Sequence, residues 1–368
     1  MLNFDNAATT KISEKSLQAY VSASECFFNP SALYKNALES KKIIEDARSY
    51  ILKRLGGKNG STLIFTGSAT ESNNTVLNSC ITRKDKKYLI SAGEHSSIYE
   101  TAKYYKELGY NVVFLPLIKN GGVDTEVLYR ELDDTVAFVS IIHVSNETGV
   151  INDIKTITKH IKDLNPNIMV HSDGVQAVGK LDINLKDLGV DYYTISAHKI
   201  NGPKGIGALY IANPNKFKVL MHGGGQEMKL RAGTENIPAI TAFKVAFEEL
   251  EFKDYSAHKK AILDNIEGDY ILVSNENCVD NIISVCFKGI RSETILHILE
   301  EDNIVVGTGS ACNSKAGKNR ILSQIVPKDY IDGAIRLSFG EEITIEDCVY
   351  VAKKLSDAVK KYTITIRR

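Results

Sequence analysis

The sequence predicts an α/β fold: a large domain on a mainly parallel seven-stranded sheet flanked by helices, with a smaller α+β domain beside it. Three observations carry that expectation. Between residues 62 and 211, short β-rich runs alternate with helix-length amphipathic segments; polar, glycine-containing clusters follow the runs; and the C-terminal third mixes strands and helices in another pattern.

In chain order, the lysine-, glutamate- and alanine-rich stretch 32–55 reads as a long helix closed by Gly56-Gly57. Strands follow at 62–66, 87–91, 111–115, 136–143, 168–172, 191–196 and 207–211. Helical spacing fills the gaps at 71–80, 97–108, 125–132 and 154–164. A helix over 237–251 leads out of this domain, after which strands at 283–287, 304–306 and 334–338 and helices at 293–301 and 345–361 make the smaller one.

Lysine plus arginine equals aspartate plus glutamate, 45 each, so no net field recommends nucleic acid or anionic membrane as a partner. The start, Met1-Leu2-Asn3-Phe4-Asp5-Asn6, lacks the basic and apolar regions of a signal peptide, and the expectation is a cytoplasmic protein. Six cysteines without CxxC or zinc spacing predict no metal site or disulfide framework, most of them being buried small hydrophobes.

Ligands of such sheets bind where loops leave the carboxyl ends of strands. The 191–196 run delivers Ser196-Ala197-His198-Lys199 into a glycine-rich turn, where a partly desolvated amine is a candidate Schiff-base former. Alone, the same segment also reads as a strand end with a surface lysine. Ala69 and Thr70 open a helix whose free N–H groups suit a phosphate, or serve as an ordinary cap. His95 at the next strand-to-helix turn can stack on a flat ring, Asn146 offers an amide, and Asp173 and Gln176 follow the 168–172 strand. Together these groups match the needs of pyridoxal 5′-phosphate, which requires a lysine, a carboxylate for its ring nitrogen and phosphate donors.

Ser196-x-His198-Lys199, Asp173-x-x-Gln176, Glu94-His95 and Ala69-Thr70-Glu71-Ser72-Asn73-Asn74 resemble the class V aminotransferase family. Phe4-Asp5-Asn6-Ala7-Ala8-Thr9-Thr10 and Thr308-Gly309-Ser310-Ala311-Cys312 narrow the resemblance to cysteine desulfurases of the iron–sulfur cluster assembly group, and it runs essentially end to end. The resemblance implies a pyridoxal-phosphate-dependent transferase of fold type I. Residues 14–252 would form the large cofactor-binding domain, and 1–13 with 253–368 the small domain carrying a catalytic cysteine loop.

It further implies that Lys199 carries the cofactor, Asp173 pairs with its ring nitrogen, Gln176 bonds its phenolic oxygen and His95 stacks on it. Ala69, Thr70, Ser196 and His198 would hold the phosphate, with Thr234 reaching the phosphate of the partner subunit in a homodimer. Asn146, Arg336 and Asn6 would bind the substrate, L-cysteine, a guanidinium fork suiting its carboxylate. Cys312 would take the sulfur as a persulfide and pass it to an acceptor protein, for iron–sulfur cluster assembly or tRNA thiolation. Independently, Cys312 alone among the six cysteines sits in a run of small residues followed by a lysine-rich stretch, a setting that favours thiolate.

The chain departs from the family in four places. Met228 stands where the family has arginine in Gln226-Glu227-Met228-Lys229, Tyr34 stands for histidine, Gly67-Ser68 reverses the usual order, and Lys315 to Arg320 is an unusual continuation of the cysteine loop. A lyase acting on selenocysteine, a true aminotransferase and a catalytically silent scaffold are the competing readings. Retention of Lys199 and Asp173 speaks against the last, and Cys312 against lyases that need no thiol.

Overall fold

The computed structural model describes residues 1–274, 277–308 and 319–366. Strand β1 (Leu2–Phe4) opens the chain. The next seven are β2 (Thr62–Thr66), β3 (Lys87–Ser91), β4 (Asn111–Leu115), β5 (Val136–Ser140), β6 (Met169–Asp173), β7 (Tyr192–Ser196) and β8 (Gly207–Ile211), which form one sheet in the order β2-β8-β7-β6-β5-β3-β4. Neighbours from β7 to β4 are parallel, whereas β8 runs antiparallel to both β7 and β2. Every strand but β8 therefore points the same way, and the carboxyl ends of β2, β3, β5, β6 and β7 share one edge of the sheet.

Both faces of this sheet are covered, as its near-continuous apolar strands require. In β2, Leu63 and Phe65 pack into one core cluster with Ile44, Ile240 and Phe243, while Ile64 points into the opposite cluster with Val76, Leu77 and Ile98. The period-two alternation of side chains thus feeds two helical layers at once. One layer includes helices Lys35–Arg54 and Ile237–Glu248, the other helices Ala69–Cys80 and Ser96–Glu107.

The remaining strands, β9 (Tyr270–Leu272), β10 (Ile282–Phe287), β11 (Ile304–Thr308) and β12 (Gly333–Ser338), join β1 in a second sheet of order β1-β11-β12-β10-β9. Its core is a separate cluster around Phe287, Leu299, Leu337 and Phe339, closed by helices Ser292–Glu301 and Ile345–Ile366. The chain between β1 and helix Glu14–Ser24 ties the two sheets together. Asp5 bridges Ser338 and the Asn6 N–H donates to the Ser338 carbonyl at 3.0 Å, then Thr10 N–H donates to the His198 carbonyl at 2.9 Å and Ser13 N–H to the Asn201 carbonyl at 2.9 Å.

Strands expected at 62–66, 87–91, 111–115 and 207–211 are found at those bounds. The 136–143 run leaves the regular ladder after Ser140, although the Ile141 and His143 N–H groups still donate to the His171 and Asp173 carbonyls at 3.2 and 2.9 Å. The three-residue strands β1 and β9 and helices Glu14–Ser24 and Ser256–Leu263 were not among the expected elements.

Candidate active site

A cavity of about 580 Å³ opens at the carboxyl edge of the large sheet, with its far wall built by β11 and β12. Size and setting suit a small organic ligand. Of the sequence-predicted residues, Ala69, Thr70, His95, Asn146 and Asp173 line it from the large-sheet side, as do Gln176, His198 and Lys199; Arg336 faces them from β12. Ser196 ends β7 and is buried. Asn6 turns aside to donate to Glu342 at 3.4 Å. Thr234 lies in a smaller cavity of about 180 Å³ beside Thr66, Gly67 and Arg231. Cys312 lies outside the described residues.

Lys199 closes a 3-10 turn directly after β7, and the left-handed Asn201 (φ 60°) reverses the chain behind it. Its Nζ donates to the carbonyls of Ala7 and Ala8, each at 2.7 Å. Gln176 Nε2 donates to the same Ala7 carbonyl at 2.8 Å. The N-terminal strap thereby supplies the floor on which the lysine rests.

Asp173, the last residue of β6, is 3% exposed and keeps both oxygens in hydrogen bonds. Oδ1 accepts from Val175 N–H at 3.0 Å and Oδ2 from Asn73 Nδ2 at 2.8 Å. His95 caps helix Ser96–Glu107, its Nδ1 accepting from Ser97 N–H at 3.2 Å with the Ser97 hydroxyl at 2.8 Å. That acceptor role leaves the ring proton on Nε2. Burial lowers the pKa of His95, and lowers that of His198 to about 4, so both rings stay neutral near pH 7. Burial acts in reverse on the adjacent Glu94, raising its pKa to about 8.

Helix Ala69–Cys80 begins at the carboxyl end of β2, with Ser68 Oγ accepting from Glu71 N–H at 3.1 Å. Gly207 of β8 lies under this turn, and a Cβ there would stand 2.8 Å from Ala69 N and from Ser68 C. The helix N-terminus approaches the sheet this closely only because the neighbouring strand carries no side chain at that point.

Across the cavity, Arg336 Nη1 donates to the Asn146 carbonyl at 2.8 Å and Nη2 to Asp5 Oδ1 at 2.5 Å. Its Nε is buried without a partner. A Cβ on Gly307 would sit 2.7 Å from Asp5 Oδ1 and 2.9 Å from Arg336 Nε, so this glycine makes room for the ion pair.

Beyond residue 318 the chain is tied to the same cavity walls. Asn319 donates to Glu147 Oε2 at 2.8 Å; Arg320 donates to the Glu94 carbonyl at 2.6 Å and lies 3.9 Å over the Tyr99 ring. Three further contributors, Asn73, Ser97 and Gly307, were given no role from the sequence. Asn73 sits within a quoted motif, but its partners Asp173 and Ser97 are 100 and 24 residues away. Cys80, Cys286 and Cys348 stand apart from the cavity, their thiols held protonated by burial, Cys286 and Cys348 at pKa values of about 12.

The run Glu227 (φ 46°), Met228 (φ 57°) and Lys229 (φ 66°), which holds one of the four expected departures, Met228, is left-handed. It is held by the buried Glu227 carboxylate, which accepts from Arg48 Nη1 at 2.6 Å and from Phe65 N–H at 2.9 Å.

Comparison with known proteins agrees with this architecture. The family model for class V aminotransferases matches residues 2–351. A relative named cysteine desulfurase IscS, from Dictyoglomus turgidum, is 35% identical over 97% of this chain and 94% of its own length. A NifS/IcsS protein homolog from Lactobacillus delbrueckii subsp. bulgaricus is 36% identical over 94% of each. A solved NifS-like protein superposes with a TM-score of 0.87 at 31% identity, covering 98% of this chain and 99% of that one. Another, from Rickettsia africae, gives 0.85 at 29% identity over 98% and 99%. With the family model spanning nearly the whole sequence and relatives matched end to end, the chain belongs to the class V aminotransferase family.

Proposed function

We propose that this protein is a pyridoxal-phosphate-dependent cysteine desulfurase that converts L-cysteine to L-alanine and takes the sulfur onto Cys312. The observation that carries the reading is the convergence of Lys199, Asp173, Gln176, His95 and Arg336 on one cavity. The fit to the cofactor rests on the donor set: an amine at the floor, a buried carboxylate on one wall, and a helix N-terminus brought close by Gly207.

In this reading Lys199 holds the cofactor, Asp173 faces its ring nitrogen, Gln176 its phenolic oxygen and His95 its ring face. Ala69, Thr70, Ser196 and His198 hold its phosphate. When bound, the cofactor supplies an electron sink for the charge left on the substrate's α-carbon. Arg336, held by Asp5 and the Asn146 carbonyl, orients the substrate carboxylate, with Asn146 and Asn6 beside it. Once displaced by the substrate's own amine, the Lys199 amine would remove the α-proton at Nζ. The Cys312 thiolate then attacks the substrate's sulfur, the carbon–sulfur bond breaks with its electron pair staying on carbon, and protonation of that carbon leads to alanine. A sulfur-acceptor protein discharges the persulfide, for iron–sulfur cluster assembly or tRNA thiolation. The working form is a cytoplasmic homodimer, which accounts for Thr234 lying outside the main cavity and for the exposure of Phe27, Leu33 and Leu38.

The test is anaerobic incubation with pyridoxal phosphate, L-cysteine and a reductant, following sulfide and alanine in equal amounts. Cys312→Ala should lose sulfide release, and Lys199→Ala the visible absorbance of lysine-bound cofactor. Wild type that binds the cofactor but makes no sulfide, or a Cys312→Ala variant as active as wild type, overturns the reading.

A further inference from the structure

Among the described residues Lys180 is an ammonium without a carboxylate partner. It follows Gly179, whose φ of +82° turns the chain, and it is half-buried rather than extended into solvent. Its side chain makes one hydrogen bond, Nζ donating to Gln176 Oε1 at 3.1 Å. The titratable group facing it is another cation, Lys199, and burial together with that like charge pushes the Lys180 pKa down to about 7. Holding one ammonium near another in a desolvated place is unfavourable unless an anion joins them.

The single bond also fixes the polarity of the amide. An ammonium has only donors, so the atom of Gln176 that meets it must be the carbonyl oxygen. Nε2 is thereby turned the other way, where it donates to the Ala7 carbonyl at 2.8 Å, the oxygen that also accepts from Lys199 Nζ at 2.7 Å. Gln176 is 2% exposed, and in a reversed orientation its NH₂ would face the ammonium and its oxygen the Ala7 carbonyl. Gln176 and Lys199 thus line one corner of the cavity, and Lys180, outside its lining, adds positive charge through its bond to Gln176.

We propose that Lys180 is a positioning residue that acts through Gln176 to make a donor-lined, positively charged niche beside Lys199 for an anionic oxygen of the bound cofactor. This rests on the pyridoxal reading, in which that oxygen is the phenolic one. Lys180 then favours its deprotonated form and draws down the pH at which the lysine-bound cofactor loses its proton. The titratable groups on the cavity wall besides Lys199 are Asp173, His95, His198, Glu147 and the Asp5–Arg336 pair, all of which the Lys180 variants retain.

The experiment follows the visible absorbance of the pyridoxal-phosphate-loaded enzyme from pH 5 to 10, with the cofactor dissociation constant measured alongside. Lys180→Met should raise the spectral midpoint by about one pH unit and weaken cofactor binding several-fold, since a neighbouring charge shifts a pKa by roughly 1–3 units. Lys180→Arg should restore the wild-type midpoint, and Lys180→Met should have no further effect in a Gln176→Leu background. If Lys180→Met does not accumulate folded, Lys180→Gln replaces it with the same expected shift. An unmoved midpoint in the uncharged variant, or an equal shift in the Gln176→Leu background, overturns the role of Lys180 while leaving the pyridoxal reading intact. A wild-type protein that binds no pyridoxal phosphate overturns both.

Discussion

Asn73 Nδ2 donates to Asp173 Oδ2 at 2.8 Å and, with its second proton, to Ser97 Oγ at 2.8 Å. One amide, buried in helix Ala69–Cys80, therefore joins the carboxylate at the end of β6 to the serine that supports His95. Its own Oδ1 is buried without a partner, a cost that the two bonds of Nδ2 offset.

Asn73→Leu keeps the volume and removes both bonds. Hydrogen bonds to charged groups contribute about 1.5–3 kcal/mol, so pyridoxal phosphate affinity should fall about tenfold or more. Fluorescence titration of the cofactor-free protein measures it; an unchanged dissociation constant would show that Asp173 needs no such support.

Gly307→Ala sets a methyl group into the space held by Arg336 and Asp5. The guanidinium must move, and the effect should fall on substrate binding. KM for L-cysteine should rise at least tenfold, with kcat changing much less. Equal losses in both parameters would place the role of this contact in the chemical step instead.

Lys229 occupies a left-handed conformation that costs a non-glycine residue about 1–2 kcal/mol. Glycine relieves that strain but adds about 0.5–1 kcal/mol of unfolded-state entropy. Lys229→Gly should therefore stabilise the fold by roughly 0.5–1 kcal/mol, read from denaturant midpoints at constant slope.

Two buried groups bend the pH dependence of stability in opposite senses. His171 is held neutral between Ser140 and Thr194, with its pKa lowered to about 3 by burial. The unfolded chain gains a proton there below about pH 6.5 and the folded one does not, so stability is lost as pH falls from 6.5 toward 3. Glu94, with its pKa raised to about 8, stays protonated in the fold while the unfolded chain releases the proton near 4.5; its contribution is lost as pH rises from 4.5 to 8. His171→Asn should flatten the acid limb, and Glu94→Gln the limb up to pH 8, each by up to about 1.4 kcal/mol per pH unit relative to wild type. Unfolding free energies from pH 4 to 8 decide it.

The large sheet was legible because its strands are apolar on both faces and bounded by turns, so composition alone marks β2, β3, β4 and β8. Three-residue strands such as β1 and β9 carry no period to read, and their existence depends on partners hundreds of residues away or across a hairpin. The same division holds in the cavity. Lys199, Asp173 and His95 stand at or within a few residues of strand ends, and their position in the chain announces them. Asn73, Gly307 and Lys180 matter through what the fold brings against them, and no local pattern encodes that.

The strap formed by residues 5–13 has a consequence for the order of assembly. Residues 5–13 can take their places only after β11 and Ser338 exist, and until then the Lys199 amine lacks the carbonyls of Ala7 and Ala8. The large sheet can collapse as soon as its own strands have emerged, but the floor beneath the lysine waits for Ser338, more than a hundred residues beyond the last of those strands. Such pairings of high sequence separation close late and slowly. A chain that stops short of Ser338 would thus carry a folded sheet with an unfinished site, so the reactive amine is completed only once that residue is in place.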